Sequence, residues 1–194
     1  MSHAALRIIH DEHAALAAML RSIPLLLAQH RRNGTLPDFG TLRAMLFYMD
    51  EFPEQRHHRK ESELLFPMLR ARTDAAGPVL DRLDQDHARG ERAIRDLEHA
   101  LLAFEMMGES RREAFEAAAQ RYVDFYFEHM TLEEKQVLPL AERVLTAEDW
   151  AELDAAFAAN RDPLTGHEPE DEYRALFSRI VNALPAPLGL GEAR

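Results

Sequence analysis

Leu6, Ile9, His13, Leu16, Leu20, Ile23 and Leu27 follow one another in alternating steps of three and four residues. That spacing lays one apolar stripe along about six turns of an α-helix, and a strand cannot use it. Three more stretches carry the same signature. The second has Leu42, Met45 and Met49 on one face, and beyond Pro53 a stripe of His57, Glu61, Leu64 and Met68. The third carries Leu80, Leu83, His87, Gly90, Ile94, Leu97, Leu101 and Phe104. The fourth carries Phe115, Ala118, Tyr122, Phe125, His129, Leu132 and Leu140, with Glu133 beside the seam.

Asn33-Gly34 closes the first stretch, Asp38 can cap the second, and Gly77-Pro78 and Gly108-Glu109-Ser110 separate the rest. Pro53 is expected to kink or interrupt the second. Short connections make neighbouring helices antiparallel, so the predicted fold is all-α, an up-down four-helix bundle over residues 1–145. Thr146-Ala-Glu-Asp149 reads as a capping box for a fifth helix ending near Asn160. A loop, a sixth helix over residues 173–184 and an extended tail complete a C-terminal extension, residues 146–194, expected to pack on the bundle.

Each of the four seams holds one histidine: His13, His57, His87 and His129. One buried imidazole is usually a core residue with a single partner. Four, one per helix, meet the requirement for a metal site built inside a bundle from facing helices. The halves of the chain also match. "HHRKESELLFPML" from His57 and "HMTLEEKQVLPL" from His129 share a histidine, a glutamate four residues on and a proline ten residues on. Residues four apart share a helix face, so His57/Glu61 and His129/Glu133 each present a nitrogen beside a carboxylate. Mixed imidazole and carboxylate donors suit iron, manganese or zinc. Four histidines and two carboxylates exceed one tetrahedral ion and suit two octahedral ions with bridging carboxylates and an open position.

The repeat also ranks neighbours. It selects His57 over His58 and Glu133 over Glu134. His58 lies about 100° round the helix from His57, which gives it a surface or supporting role. His10 is three residues before His13 and could support it. His3, His30, His99 and His167 read as solvated, and Met45, Met49, Met106 and Met107 as core filler. Tyr122 and Tyr126 read as core packing. Gly90 is open to two readings, a close helix approach or space kept beside the metals for an added ligand.

The order H, HxxxE, H, HxxxE over four helices resembles the hemerythrin family in its bacterial form, the HHE cation-binding domain. "DEFPEQRHHRKESELLFPML" is similar to its second helix, and the resemblance covers about residues 5–145. It implies a non-haem di-iron centre, carboxylate-bridged and oxo- or hydroxo-bridged, with His13, His57, Glu61, His87, His129 and Glu133 as ligands, binding oxygen or a related small ligand. The oxygen carriers of the family have HxxxH on the third helix, whereas Glu91 stands there here. Glu91 could be a seventh ligand, a partner of a ligand or a solvated carboxylate. Glu54-Gln-Arg-His57 fits the ferritin-like ExxH pattern once, and no second copy accompanies it. An oxidoreductase acting on peroxide or nitric oxide, or repairing iron damage, is the main alternative to a binding protein. A bundle holding zinc or no metal, used for interaction, is the third.

Composition narrows the rest. A net charge of −11 argues against a nucleic-acid partner. With no cysteine, iron–sulfur clusters and thiolate zinc sites are excluded. The longest apolar run, residues 23–28, is far too short to span a bilayer. A cytoplasmic protein without a membrane partner is expected.

Overall fold

The computed structural model describes residues 3–183, and within them every regular element is helical. The expected C-terminal tail lies outside the described residues. In chain order the helices are α1 (Ala4–Asn33), α2 (Phe39–Met49), α3 (Phe66–Arg72), α4 (Gly77–Met107), α5 (Arg112–Leu132), α6 (Leu138–Val144), α7 (Ala147–Ala158) and α8 (Arg174–Ala183). Two wide-turn π stretches, Asp50–His58 and Glu61–Leu65, join α2 to α3, and a third, Glu133–Val137, joins α5 to α6.

Local chemistry sets the ends. Gly34 adopts φ 64°, the left-handed conformation that closes α1 at no steric cost. The Asp38 side chain accepts from the Gly40 amide and caps α2. Thr146 and Asp149 form the expected capping box of α7. Pro53 does not break the second stretch. It sits inside the first π stretch, where widened turns absorb the missing amide donor.

Ion pairs fix the directions. Arg31 pairs with Glu116 near one end of α1, and His13 meets Glu134 near the other, so α1 and the fourth stretch run antiparallel. Arg43 pairs with Glu105 and Arg70 with Asp81, which orients the second stretch against α4. Arg82–Glu128 and the Phe104–Phe115 ring contact do the same for α4 and α5.

Two apolar clusters result. One holds Leu16, Leu20, Met45, Met49, Ile94, Phe104 and Phe115 among others, and α8 adds Phe177 and Ile180. The second holds Ile9, Leu65, Leu69, Leu80, Leu83, Val137 and Ala141, and α7 adds Trp150, Leu153 and Phe157. Fully burying each large side chain contributes roughly 1.5–3 kcal/mol. Between the clusters each long stretch turns polar at the same level, at Glu12–His13, Glu54–Glu61, His87 and His129–Glu133.

The stripes of α1 and α4 are buried as expected. Two others shift. After Glu61 the buried residues of the stretch are Leu65, Phe66 and Leu69, with Leu64 and Met68 at the margin. After Glu133 they are Val137, Leu138 and Ala141, with Leu132 and Leu140 at the margin. The seam therefore reads 57, 61, 65, 69 and 129, 133, 137, 141, in steps of four. A 3.6-residue helix cannot sustain that on one face, and the π turns supply the extra residue. In α5 the seam runs through Tyr126, and Phe125 is at its edge. Met106 is 76 % exposed and Met107 is also largely exposed, so neither fills the core.

Candidate metal centre

The polar layer brings all six sequence-selected residues together, and all six are buried. Their donor atoms fall into two groups. His13, His57, Glu61 and Glu133 form one, and His58, Glu61, His87 and His129 form the other, with the donor atoms of each within 4.8 Å of one another. Glu61 belongs to both. Its Oε1 is 2.9 Å from His57 Nε2, and its Oε2 is 3.3 Å from His87 Nε2. Glu133 Oε2 lies 3.3 Å from His13 Nε2 and 4.0 Å from His129 Nε2.

These close approaches are not hydrogen bonds. Nε2 of His13, His57, His87 and His129 and both oxygens of Glu61 and Glu133 are buried without a hydrogen-bond partner. Leaving one such atom unpaired costs about 1–3 kcal/mol. A cluster of orphaned atoms converging from all four long stretches fits cations that would take their lone pairs, and the donor chemistry suits iron, manganese or zinc.

His58 corrects the sequence reading. It is 3 % exposed and one of the four donors in the second group. Its ring stacks on His87 at 4.4 Å, while His57 faces His13 at 5.0 Å. The angle that separates adjacent helical residues, taken as a reason to turn His58 outward, instead aims the two rings at different groups. Glu91 is also clarified. It is exposed, approaches Arg95 at 3.7 Å and belongs to neither group. It lines the outer part of an open cleft of about 370 Å³ that reaches His58 and His87. The seventh-ligand reading of Glu91 fails on this placement.

Polar partners outside the groups orient the rings. His57 Nδ1 donates to Glu12 Oε2 at 2.7 Å, and His13 Nδ1 to Glu134 Oε1 at 2.9 Å. His87 Nδ1 pairs with Ser62 Oγ at 2.8 Å, and His58 Nδ1 donates to Glu54 Oε2 at 3.2 Å. Fixing one ring nitrogen points the other into the cluster. His129 Nδ1 has no such partner, with Asp86 at 4.0 Å. His10 reaches only Glu134, at 3.7 Å. Glu12, Glu54 and Ser62 were not singled out as ring partners from the sequence. Only Glu54 left a signal, its i,i+4 spacing to His58, hidden by the ExxH match to His57.

Glu54 has a further role. Its Oε1 accepts from the Tyr126 hydroxyl and, at 3.3 Å, from Tyr122. Tyr126 and Tyr122 are thus tied to His58 through one carboxylate, beyond packing alone. Gly90 makes room for this. A Cβ there would overlap the Tyr126 hydroxyl and stand 2.9 Å from Glu54 Oε1. The close approach is to a phenol, not to an empty space beside the donors. Gly90→Ala would gain about 1 kcal/mol at an open helical site. Here it is expected to lose about 1–3 kcal/mol by overpacking, read as a lower urea midpoint. An unchanged or higher midpoint would mean that Tyr126 moves aside freely.

Burial and charge set the protons of the cation-free cluster. Burial would lower His13, but the Glu133 and Glu134 carboxylates outweigh it and raise it to about 9. Burial opposes His57 too, yet the charge of Glu61 and the hydrogen bond to Glu12 hold it well above its usual range. Burial and the His87 charge push His58 well down, and burial does the same to His129. Burial, then the Glu61 charge, lifts Glu133 to about 7, while Glu61 stays ionised against burial through His57. One carboxylate of the pair is charged, and the other keeps a proton near neutrality.

The sequence matches the family model described as the hemerythrin HHE cation binding domain over residues 4–141. Searches of curated proteins and of solved structures give no match. No helix among the described residues is long and apolar enough to cross a membrane.

Proposed function

This chain belongs to the hemerythrin family, and on that footing we propose that it is a non-haem di-iron protein that binds oxygen or a related small ligand for sensing, storage or scavenging. The observation that carries the proposal is the pair of donor groups sharing Glu61. In this reading His13, His57 and Glu133 would hold one iron, His58, His87 and His129 the other, and Glu61 would serve both. On the same reading the four long antiparallel stretches form the up-down bundle of the family, the described residues from 146 to 183 add a helical segment, and the protein works in the cytoplasm without nucleic acid or membrane.

Iron bound here would supply reversible electron transfer to a small ligand. The chain's own residues govern access and proton supply. Where the other group holds three imidazoles and one carboxylate, the His13/His57 group holds two of each. Beside it is a cavity of about 10 Å³ walled by Leu16, Phe52 and Pro53 as well as by His13 and His57. That volume is near the minimum for one water molecule, so only very small ligands fit without rearrangement. Its largely apolar wall favours an uncharged one.

An oxidoreductase remains the second reading, supported by the buried Tyr126–Glu54–His58 chain, which could deliver a proton toward the second group. Metal analysis of the purified protein is expected to give about two iron per chain. Zinc alone, or no metal, would sink the proposal. Mixing the anaerobic reduced protein with oxygen, and separately with peroxide, distinguishes the readings. A transient spectral species with oxygen supports binding, whereas many peroxide turnovers per chain support the enzyme.

Cations must displace the protons described above, so uptake should release protons. Below about 7 both Glu133 and His13 hold a proton; between about 7 and about 9 His13 still does. Affinity is therefore expected to rise steeply with pH up to about 7 and less steeply to about 9. Metal titrations at several pH values, with proton release followed in weak buffer, test this. Affinity independent of pH would contradict the assigned proton positions.

A further inference from the structure

Asn160 and Asp162 follow α7, outside the residues that match the family, yet both side chains turn inward and are only 2 % and 4 % exposed. Asn160 Nδ2 donates at 3.0 Å to Glu12 Oε2, the same oxygen that accepts from His57 Nδ1. Asn160 Oδ1 accepts from Lys60, in the second helical stretch. Asp162 Oδ2 accepts from the buried Tyr48 hydroxyl at 2.7 Å, and its Oδ1 accepts from the Leu164 amide at 2.9 Å. Between them Arg161 has φ 48°, the one positive φ at a non-glycine among the described residues. Such a conformation is strained and persists only where its surroundings impose it. Here it lets two consecutive buried anchors flank one exposed residue. Asn160 and Asp162 also wall the small cavity beside His13 and His57.

We propose that residues 160–162 form a clasp over the His13/His57 side of the centre, in which Asn160 is a positioning residue that acts on His57 through Glu12. The physical logic is a two-point anchor. Glu12 accepts from His57 and is held in turn by the Asn160 amide. With that donor gone, the carboxylate can rotate, and the imidazole it orients loses its fixed direction. Asp162 anchors the turn by bonding Tyr48 and the Leu164 amide rather than Glu12 or His57. The clasp acts on the group with fewer imidazoles and leaves the His58/His87/His129 side unaffected. It rests on the metal reading above, but its first consequence, the orientation of the His57 ring, is a property of the metal-free chain.

The test compares the full chain with Asn160→Asp, Asn160→Ser and Asp154→Ala. Asn160→Asp keeps the shape and the acceptor for Lys60 but removes the donor to Glu12. Asn160→Ser keeps a smaller polar group if the acidic variant fails to fold. Asp154 Oδ1 accepts from the Ala5 amide at 2.7 Å and ties the same extension to α1 away from the site, so its variant controls for general loosening. The ring nitrogens of His57 are read by NMR in metal-free protein, and iron loss to a chelator is followed in loaded protein. Both Asn160 variants should shift the His57 ring nitrogen signals and weaken one of the two ions roughly 10–100-fold, leaving the other unchanged. Asp154→Ala should do neither. Unchanged His57 signals with both ions held as in the wild type would overturn the inference, as would equal effects from Asp154→Ala. If the wild type binds no iron, the functional reading falls, and the His57 signals alone decide the clasp.

Discussion

Glu61→Ala is expected to abolish both halves of the metal centre at once. Glu61 is the one residue present in both donor groups, and its two oxygens face different imidazoles, His57 and His87. No neighbouring carboxylate can take over. Glu133 already faces His13, and Glu54 is committed to His58, Tyr122 and Tyr126. Iron content should fall from about two per chain to well below one. The stability that iron lends the native state, about 3–4 kcal/mol when metal exceeds its dissociation constant 100- to 1,000-fold, should disappear with it. In chelator the comparison changes. The Glu61 oxygens have no hydrogen-bond partner in the metal-free cluster, but their charge offsets that of the His57 imidazolium. The urea midpoint of the variant in chelator should therefore fall, but by much less than its midpoint with iron. A variant that keeps two ions would show that Glu61 does not join the groups. A variant equally destabilised with and without iron would make Glu61 a structural residue first.

How much of this could be read from the chain depends on the range of the interaction involved. Helix faces that obey a 3.6-residue period were legible, and α1 and α4 bury the stripes their sequences mark out. So were local caps, such as Asp38 and the Thr146/Asp149 box. The same periodicity misled at Leu64, Met68, Leu132 and Leu140, because it assumes α-turns where the chain makes π-turns. The clue was present as a spacing of four at 57, 61, 65, 69 and 129, 133, 137, 141, but it emerges only when the glutamates are taken as interior residues. Partners across helices left no local trace. Glu12 with His57, Glu134 with His13 and Asn160 with Glu12 are joined by folding alone, at separations of 45, 121 and 148 residues. Gly90 is recognisable as a place of close approach, but its neighbour Tyr126 is not, because the sequence periodicity places the α5 seam one residue away, at Phe125.

His58→Ala is the second large effect, and the one on which the sequence and the structure make opposite forecasts. The proline-anchored repeat assigns the ligand role to His57 and leaves His58 outside. In the structure His57 faces α1, beside Glu12 and His13, whereas His58 faces α4 and α5, with its ring 4.4 Å from His87 and 5.1 Å from His129. Two adjacent residues can both point inward because this layer is wide and each serves a different group. His58→Ala should therefore remove one ion of about two and spare the other. It should also strand Glu54, which would keep Tyr122 and Tyr126 but lose its imidazole partner, at a cost of about 1–3 kcal/mol in metal-free protein. His58→Asn separates the contributions, since its amide can still donate to Glu54 but is a poor iron ligand. That variant should recover much of the metal-free stability without recovering the ion. His58→Ala retaining both ions with an unchanged iron spectrum would return His58 to the supporting role that the repeat alone suggests. It would also leave the second group with His87, His129 and the shared Glu61, too few donors for a tightly held ion, so the two-ion assignment would have to be rebuilt around another residue.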